Sequence, residues 1–334
     1  MLGVVSAGCG VAAALMRRRE NFDLRGKVVL ITGGSRGLGL AMARDFAAEG
    51  ARLALCAREP AELRAATDDL RSCTSEVLGV PCDVGDPEQV ENMINAVMQH
   101  YGRIDVLVNN AGVMQVGPLH TMTLADFEHA MEVIYWGVVH TTLAALPHIL
   151  KGGEGRIVNI TSIGGKVSVP HMLPYSCAKF ATVAFSEGLR AELAGTGVKT
   201  VTIAPGLMRT GSFLNASFKG NNPNEAKWFS VSASLPGISI SAKRASASVV
   251  AATKRGTADK VLGGSASMLA IFHGLFPGLT ADVLGLIKQA LPDGRGAQDR
   301  LIKPVIQRSM LLKGLTVLGQ RAARRYLQMG ARTA

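Results

Sequence analysis

The sequence predicts an α/β fold: a doubly wound parallel sheet of the Rossmann type, preceded by an apolar N-terminal segment and followed by extra C-terminal helices. Three observations carry this reading. From Asp23 onward, short apolar β-branched runs alternate with helix-length segments. The first run leads directly into a glycine-rich turn, Thr32-Gly33-Gly34-Ser35-Arg36-Gly37-Leu38-Gly39. Far downstream, Tyr175 and Lys179 stand four residues apart, and Ser162 stands thirteen residues before Tyr175.

Each element follows from its own residues. Lys27–Thr32 is a short apolar run that reads as a buried strand. Gly37–Glu49 is helical and closed by Gly50. Arg52–Cys56 is a second strand, Ala61–Arg71 a helix and Glu76–Cys82 a third strand. Pro87 suits a first helical turn, with the helix reaching Tyr101. Ile104–Asn109, Arg156–Thr161 and Val198–Ala204 read as further strands, separated by helices over Ala125–Leu150 and Tyr175–Ala194. Helical crossovers of this length imply parallel pairing, with ligands at the carboxyl ends of the strands.

After Pro205 the alternation loosens. Residues 211–237 are rich in Ser, Asn and Gly and are expected to form a mobile region. A helix near Ser241–Arg255, a last strand over Lys260–Gly263, apolar helices over Met268–Phe276 and Thr280–Leu291, and a basic helix over residues 300–328 complete the chain. The expected organisation is an apolar segment with an arginine cluster (1–20), a sheet domain (21–263) with a substrate lid near 207–237, and apolar helices ending in a basic helix (264–334).

With 334 residues, 48% hydrophobic and 18% charged, the chain can bury a sizeable core and is not disordered. The net charge of +11 is local: Arg17–Arg19 and the eight Lys/Arg of residues 300–334 supply all of it. Setting those eleven aside leaves 25 basic residues against 25 acidic ones. The basic ends suit an anionic surface, a membrane included, or a solvated helix face. Without aromatic interleaving or a known motif, no nucleic-acid partner is expected. The five cysteines lack a Cys-x-x-Cys pair, so they read as reduced thiols of a cytoplasmic protein with no metal site. Leu2–Met16 is uncharged and precedes its arginines, the reverse of a secretory signal. It reads either as a marginal membrane anchor, too short for the roughly 20 residues a span needs, or as a loosely ordered tail.

In the glycine turn, Gly33, Gly37 and Gly39 allow a tight bend and close backbone approach to a pyrophosphate, while the helix start offers free N–H groups. The second strand ends Leu55-Cys56-Ala57-Arg58, with no carboxylate for ribose hydroxyls. Arg58, with Arg36 expected to approach the same group, suits a 2′-phosphate. The expected cofactor is NADP(H), with NAD(H) as the alternative.

These residues resemble the short-chain dehydrogenase/reductase family over roughly Leu24 to Lys260. The turn Thr32–Gly39, Asp83-Val84, Asn109-Asn110-Ala111-Gly112, Ser162, Tyr175-Ser-Cys-Ala-Lys179 and Pro205-Gly206 with Thr210 carry the resemblance. It implies catalytic roles for Ser162, Tyr175 and Lys179. It implies cofactor contacts from Gly33, Ser35, Arg36, Gly37, Leu38, Gly39, Arg58, Asp83, Val84, Asn110, Ala111 and Gly112, and from Tyr175, Lys179, Pro205, Gly206 and Thr210. Asp83 would contact adenine; Pro205, Gly206 and Thr210 would border the nicotinamide. The resemblance also suggests a homo-oligomer.

The chemistry follows from the residue types. Tyrosine ionises near pH 10, and a nearby ammonium and an oxidised nicotinamide should lower that value. Spacing i, i+4 puts Tyr175 and Lys179 on one helix face. Ser162 can donate to a substrate oxygen while hydride reaches the carbonyl carbon and Tyr175 delivers the proton. One position departs from the family's pattern: Ile134 stands where many members carry an asparagine that holds a water relay, so the relay would need a backbone carbonyl. Leu207, Met208, Phe213, Leu214, Phe218, Trp228 and Phe229 either line an apolar pocket or pack the lid. The nearly uncharged run Val261–Ile287 suits a lipophilic substrate, a dimer surface or a membrane-dipping pair. His171 and His273 read as packing or surface residues. The leading expectation is an NADP(H)-dependent oxidoreductase interconverting a carbonyl and an alcohol. The alternative is a nucleotide-binding scaffold or sensor with little turnover.

Overall fold

Alternate side chains of the first strand point into opposite apolar layers, which fixes the sheet at the centre of the domain. A computed structural model describes residues 21–74, 76–220, 222–292, 298–302 and 310–329. The anchor-or-tail reading of residues 1–20 lies outside them. Strands β1 (Val28–Thr32), β2 (Arg52–Ala57), β3 (Val77–Pro81), β4 (Val106–Asn109), β5 (Gly155–Ile160), β6 (Val198–Pro205) and β7 (Asp259–Leu262) form one sheet. Its order is β3-β2-β1-β4-β5-β6-β7, and every neighbouring pair is parallel. The strand order reverses between β1 and β4, so the loops after these strands diverge and open a crevice there.

Helices cover both faces. Val29 and Ile31 pack with Leu40 and Phe46 of α1 (Gly37–Ala48), Leu63 of α2 (Pro60–Leu70) and Val249 of α8 (Ala242–Arg255). Val28 and Leu30 pack with Val90 and Ile94 of α3 (Pro87–Tyr101) and Ile149 of α5 (Gly137–Lys151). Helix α3 starts where its sequence says it should: the Asp86 carboxylate accepts from the Glu88 and Gln89 amides, and Gly102 ends it at φ +71°. Helix α4 (Leu124–Met131) opens with a capping box between Thr123 and Asp126. A π-turn, Glu132–Trp136, joins it to α5. The stretch Leu124–Lys151 has the length and hydropathy to cross a membrane, but half of its apolar window is buried in the domain, as a core helix requires. Helix α6 (Leu173–Glu192) follows, two residues earlier than predicted because Pro174 sits in its first turn.

Beyond β6 the chain is more regular than its composition suggests. Ser217–Gly220 pairs with Gln115–Val116 on one side and Gln298–Ile302 on the other. Helix α7 (Asn222–Ser234) covers them. Phe213, Phe218, Phe229, Ala226 and Val116 form a separate apolar cluster. The described residues of 211–237, expected to be mobile, instead form a small folded layer where the lid is expected, ordered by aromatics spaced too irregularly to read as a periodic pattern.

Two apolar helices, α9 (Gly264–Leu275) and α10 (Pro277–Ala290), follow β7. Pro277 stands in the first turn of α10 and starts that helix instead of merely breaking the run. The single helix expected over 300–328 is replaced by the strand Gln298–Ile302 and helix α11 (Met310–Arg325), with 303–309 outside the described residues. Helix α11 packs on α7.

Candidate active site

The crevice floor is the glycine turn. Gly33 and Gly37 both adopt φ +61°, a backbone region costly to L side chains. A Cβ on Gly39 would stand 2.2 Å from the Gly33 carbonyl oxygen, and one on Gly33 would stand 2.9 Å from Ala111 Cα. The turn is thus pressed against the end of β4. Thr32 Oγ1 accepts from the Asn110 amide at 2.9 Å and the Ala111 amide at 3.0 Å; Asn110 Nδ2 donates to the Thr32 carbonyl at 3.0 Å. Ser35 is buried, and Leu38 and Gly39 lie in the first turn of α1, where backbone N–H groups have no intrahelical acceptor. A collar of glycines that no Cβ could replace, closed by a helix start, fits the pyrophosphate of a dinucleotide.

Ser162, Tyr175 and Lys179 are brought together. Ser162 follows β5, and its Oγ accepts from the Gly164 amide at 3.0 Å. A Cβ on Gly164 would lie 3.2 Å from Tyr175 Cε1 and 3.4 Å from Ser162 Oγ, so both reach the same small volume. The Ser162 hydroxyl is near enough to Tyr175 to favour its phenolate. Lys179 is buried, one turn further along α6, with Nζ 5.8 Å from the Tyr175 ring centre. It donates to the Ile160 carbonyl at 2.8 Å, leaving two of its three protons for ribose hydroxyls. Gly112 sits beside it: its missing Cβ would be 3.9 Å from Nζ.

Burial pulls the Lys179 ammonium down to about 8. The Tyr175 phenol moves opposite to the sequence expectation. Burial pushes it above its ordinary value, and the Ser162 hydrogen bond only partly opposes this. The ammonium expected to favour phenolate is present, with Lys179 Nζ 5.8 Å from the ring centre, but desolvation of the enclosed phenol is the larger effect, and the nicotinamide charge belongs to the cofactor.

A buried polar chain crosses the sheet behind this group. Asn109 Nδ2 donates to Asn159 Oδ1 at 2.8 Å, Asn159 Nδ2 donates to Ser186 Oγ at 2.9 Å, and Ser186 and Thr202 hydroxyls lie 2.7 Å apart. Thr141 Oγ1 donates to Asn109 Oδ1 at 2.7 Å. Sequence reasoning singled out Asn109 but missed Asn159, Ser186 and Thr202. The available signal was an asparagine inside the apolar strand Arg156-Ile157-Val158-Asn159-Ile160. Ile134 lies in the π-turn, packed with Ala130 and Ala178 next to Tyr175. Its carbonyl, the relay position left to the backbone, accepts from Thr182 Oγ1 at 3.2 Å.

Where the adenosine is expected, the two arginines have separate partners. Arg36 Nη1 donates to both oxygens of Glu62, at 2.6 and 2.8 Å, and so is held away from the shared role expected for it. A carboxylate on the facing helix was not visible from spacing. Arg58 is half exposed, with Nη1 3.6 Å from Asp83. The Val84 carbonyl lies 3.2 Å from His140 Nδ1. Where the nicotinamide is expected, Pro205 pairs with Leu262, the Gly206 amide donates to the Leu262 carbonyl at 2.8 Å, and Thr210 is buried.

The lid approaches from above. Leu207, Leu214, Trp228 and Tyr175 pack against its apolar cluster, whereas Phe213, Phe218 and Phe229 are buried inside it. His171, in the left-handed region at φ +63°, is buried and pairs with Glu225 at 2.9 Å; Trp228 Nε1 donates to the same carboxylate at 2.6 Å. The end of α11 reaches the glycine turn: the Gly37 amide donates to the Tyr326 carbonyl at 2.8 Å, and a Cβ on Gly37 would stand 2.3 Å from Gln328 Nε2. Nothing local in the sequence pointed to that contact.

Comparison with known proteins matches this geometry. The short chain dehydrogenase family pattern covers residues 27–219. The chain is 38% identical over 208 residues to a dehydrogenase/reductase SDR family protein 7-like from Anopheles gambiae, covering 60% of this chain and 66% of that protein. It is 40% identical over 188 residues to a putative ketoacyl reductase of granaticin polyketide synthesis from Streptomyces violaceoruber, covering 55% of this chain and 68% of that one. The alignment thus spans about two thirds of these relatives' lengths. L-sorbose reductase from Gluconobacter frateurii, solved with NADPH and L-sorbose, superposes with a TM-score of 0.64 at 26% identity, over 73% of this chain and 98% of its own. A short-chain dehydrogenase from Streptomyces avermitilis gives 0.65 at 32%, over 79% of this chain and 98% of its own. With a parallel seven-stranded sheet, a glycine collar at the β1/β4 crevice and Ser162, Tyr175 and Lys179 gathered beside it, the chain belongs to the short chain dehydrogenase family of oxidoreductases.

Proposed function

We propose that the protein is an NADP(H)-dependent oxidoreductase that interconverts a carbonyl and an alcohol on a lipophilic substrate. The convergence of Tyr175 Cε1 and Ser162 Oγ on one small volume, with buried Lys179 one helical turn away, carries the reading. When bound, the reduced nicotinamide supplies a hydride to the carbonyl carbon. Ser162 donates a hydrogen bond to the substrate oxygen and orients it. Tyr175 gives its proton to that oxygen and regains one from solvent, so the carbonyl gains two electrons and two hydrogens in all. Lys179, fixed by the Ile160 carbonyl, holds the ribose and places positive charge near the phenol. The lid side chains Leu207, Leu214 and Trp228 exclude water and favour an apolar substrate.

Arg58 supports NADP(H) over NAD(H). It is half exposed and only loosely paired with Asp83, so a 2′-phosphate would give its guanidinium a better acceptor. Apolar residues 2–16 followed by Arg17–Arg19 support a body held on the cytoplasmic side of a membrane. Exposed Leu143 and Phe180 on α5 and α6 support pairing of two copies.

The competing reading, a nucleotide-binding scaffold with little turnover, draws on Ile134 and on the long extensions, the helices beyond β7 among them. Single-turnover oxidation of NADPH against a panel of ketones and aldehydes separates the two. Oxidation that depends on Tyr175 is expected; tight NADPH binding with no oxidation on any carbonyl would leave the scaffold.

A further inference from the structure

The outer faces of α9 and α10 invert the usual surface pattern. On α9, Met268, Ile271, Phe272 and Leu275 recur at i, i+3, i+4 and i+7 and are all exposed, Met268 by 73%. Buried Ala266 lies on the opposite side of the helix. On α10, Leu279, Val283, Leu286 and Ile287 recur at i, i+4, i+7 and i+8 and are exposed, Leu286 by 66%. Thr280, Leu284 and Lys288, on its other side, line a cavity of about 400 Å³ shared with the 167–173 loop. A soluble surface helix turns its apolar stripe inward and its charges outward. Here both stripes turn outward and join at the corner, where the Phe272 and Phe276 rings lie 5.4 Å apart.

Charge is arranged along the pair in a matching way. From Val261 to Ile287 the only charged residue is Asp282. Exposed Lys260 precedes α9 and exposed Lys288 lies in the last turn of α10, so basic residues stand at the outer ends and the uncharged aromatic corner between them. The chain as a whole carries +11, with Arg321, Arg324 and Arg325 exposed on α11. At 12 and 14 residues the helices fall short of the roughly 20 needed to span a bilayer.

We propose that α9 and α10 are a membrane-docking element, which lays both apolar stripes into the headgroup–acyl boundary of an anionic bilayer with exposed Lys260 beside the phosphates. An amphipathic helix in this position buries its apolar face about 5–10 Å into the boundary, and each nearby basic residue adds attraction. A second copy of the chain would suit a patch with a polar rim complementary to itself. Two exposed apolar stripes joined at an aromatic corner, with exposed Lys260 before them and exposed basic residues on α11 after them in the chain, match an anionic lipid surface better.

Flotation of the full chain with vesicles of phosphatidylcholine containing about one-third phosphatidylserine tests it. Ile271→Glu with Leu286→Glu should lower the bound fraction about tenfold or more and leave the melting temperature unchanged, since both side chains are exposed. Hydrogen exchange of the unmodified chain should show vesicle-dependent protection within 264–290. Unchanged flotation of the double variant, or protection confined to other segments, overturns the proposal. Conversion of a dimer to a monomer by the double variant, with flotation unaffected, assigns the face to a second copy instead.

Discussion

Leu107 in β4 and Leu286 in α10 are the same side chain in opposite surroundings. The first exposes none of its surface and the second 66% of it. Around Leu107, apolar contact holds the crevice: β4 ends in Asn109 and is followed by Asn110, which anchor the polar chain behind Ser162, Tyr175 and Lys179 and the glycine turn respectively. Around Leu286 no described residue covers the outward face. Burial in the sheet stabilises the protein by removing apolar area from water; the same chemistry on α10 leaves that gain to be made with something else. The catalytic wall is finished by folding alone, and the outer helix pair is not.

Substitutions can break or sharpen this contrast. The largest effect is expected at the catalytic wall: Tyr175→Phe should lower single-turnover NADPH oxidation by roughly 10²- to 10⁴-fold while NADPH binding persists. Turnover equal to that of the parent would sink the proposed chemistry. Next comes the direct comparison. Leu107→Ala should cost about 2–5 kcal/mol in urea unfolding, because it leaves a cavity in a closed core. Leu286→Ala should change stability by no more than about 0.5 kcal/mol. Equal costs would mean that α10 is covered in the folded monomer.

Arg58→Ala should weaken NADPH binding about tenfold or more and leave NADH binding nearly unchanged, as read by fluorescence titration, because a charge-assisted bond is worth about 1.5–3 kcal/mol. A parallel loss for both coenzymes would remove the 2′-phosphate role.

The buried lysine gives the wall a pH signature. Lys179 is depressed from 10.5 to about 8 in the folded protein. Below pH 8 both folded and unfolded chains hold the proton, and burial of the ammonium costs stability in full. Between about 8 and 10.5 the unfolded chain binds more protons, so this site's contribution to stability rises with pH and then levels off. Lys179→Met should remove that rise in urea unfolding measured across the window. Over the same range the free enzyme loses its ammonium, and kcat/KM should fall above about pH 8. The smallest effect is expected at Ile134→Asn, whose backbone carbonyl remains available; turnover should stay within about tenfold, measured by steady-state rates.

Legibility in the sequence follows the range of the interactions. Strand and helix order, the capped start of α3 and the Tyr175–Lys179 face are set by spacing and by neighbours a few residues away. So is the glycine turn, where φ +61° at Gly33 and Gly37 is a property the residue type announces. The sequence of 211–237 points to a mobile region because its order comes from Phe213, Phe218 and Phe229 meeting across several elements. The direction of the Tyr175 shift was missed because burial is a property of the enclosed site and not of the motif.

By itself, then, the chain determined a parallel α/β sheet, a dinucleotide turn and a serine, tyrosine and lysine at workable separations, because backbone propensity and short-range geometry encode them. Only the tertiary structure decided that Glu62 takes Arg36, that Tyr326 meets the Gly37 amide and that two apolar stripes face outward. Such outcomes depend on which distant surfaces are brought into contact. Periodicity marks a helix face as apolar, but packing alone decides whether that face is covered.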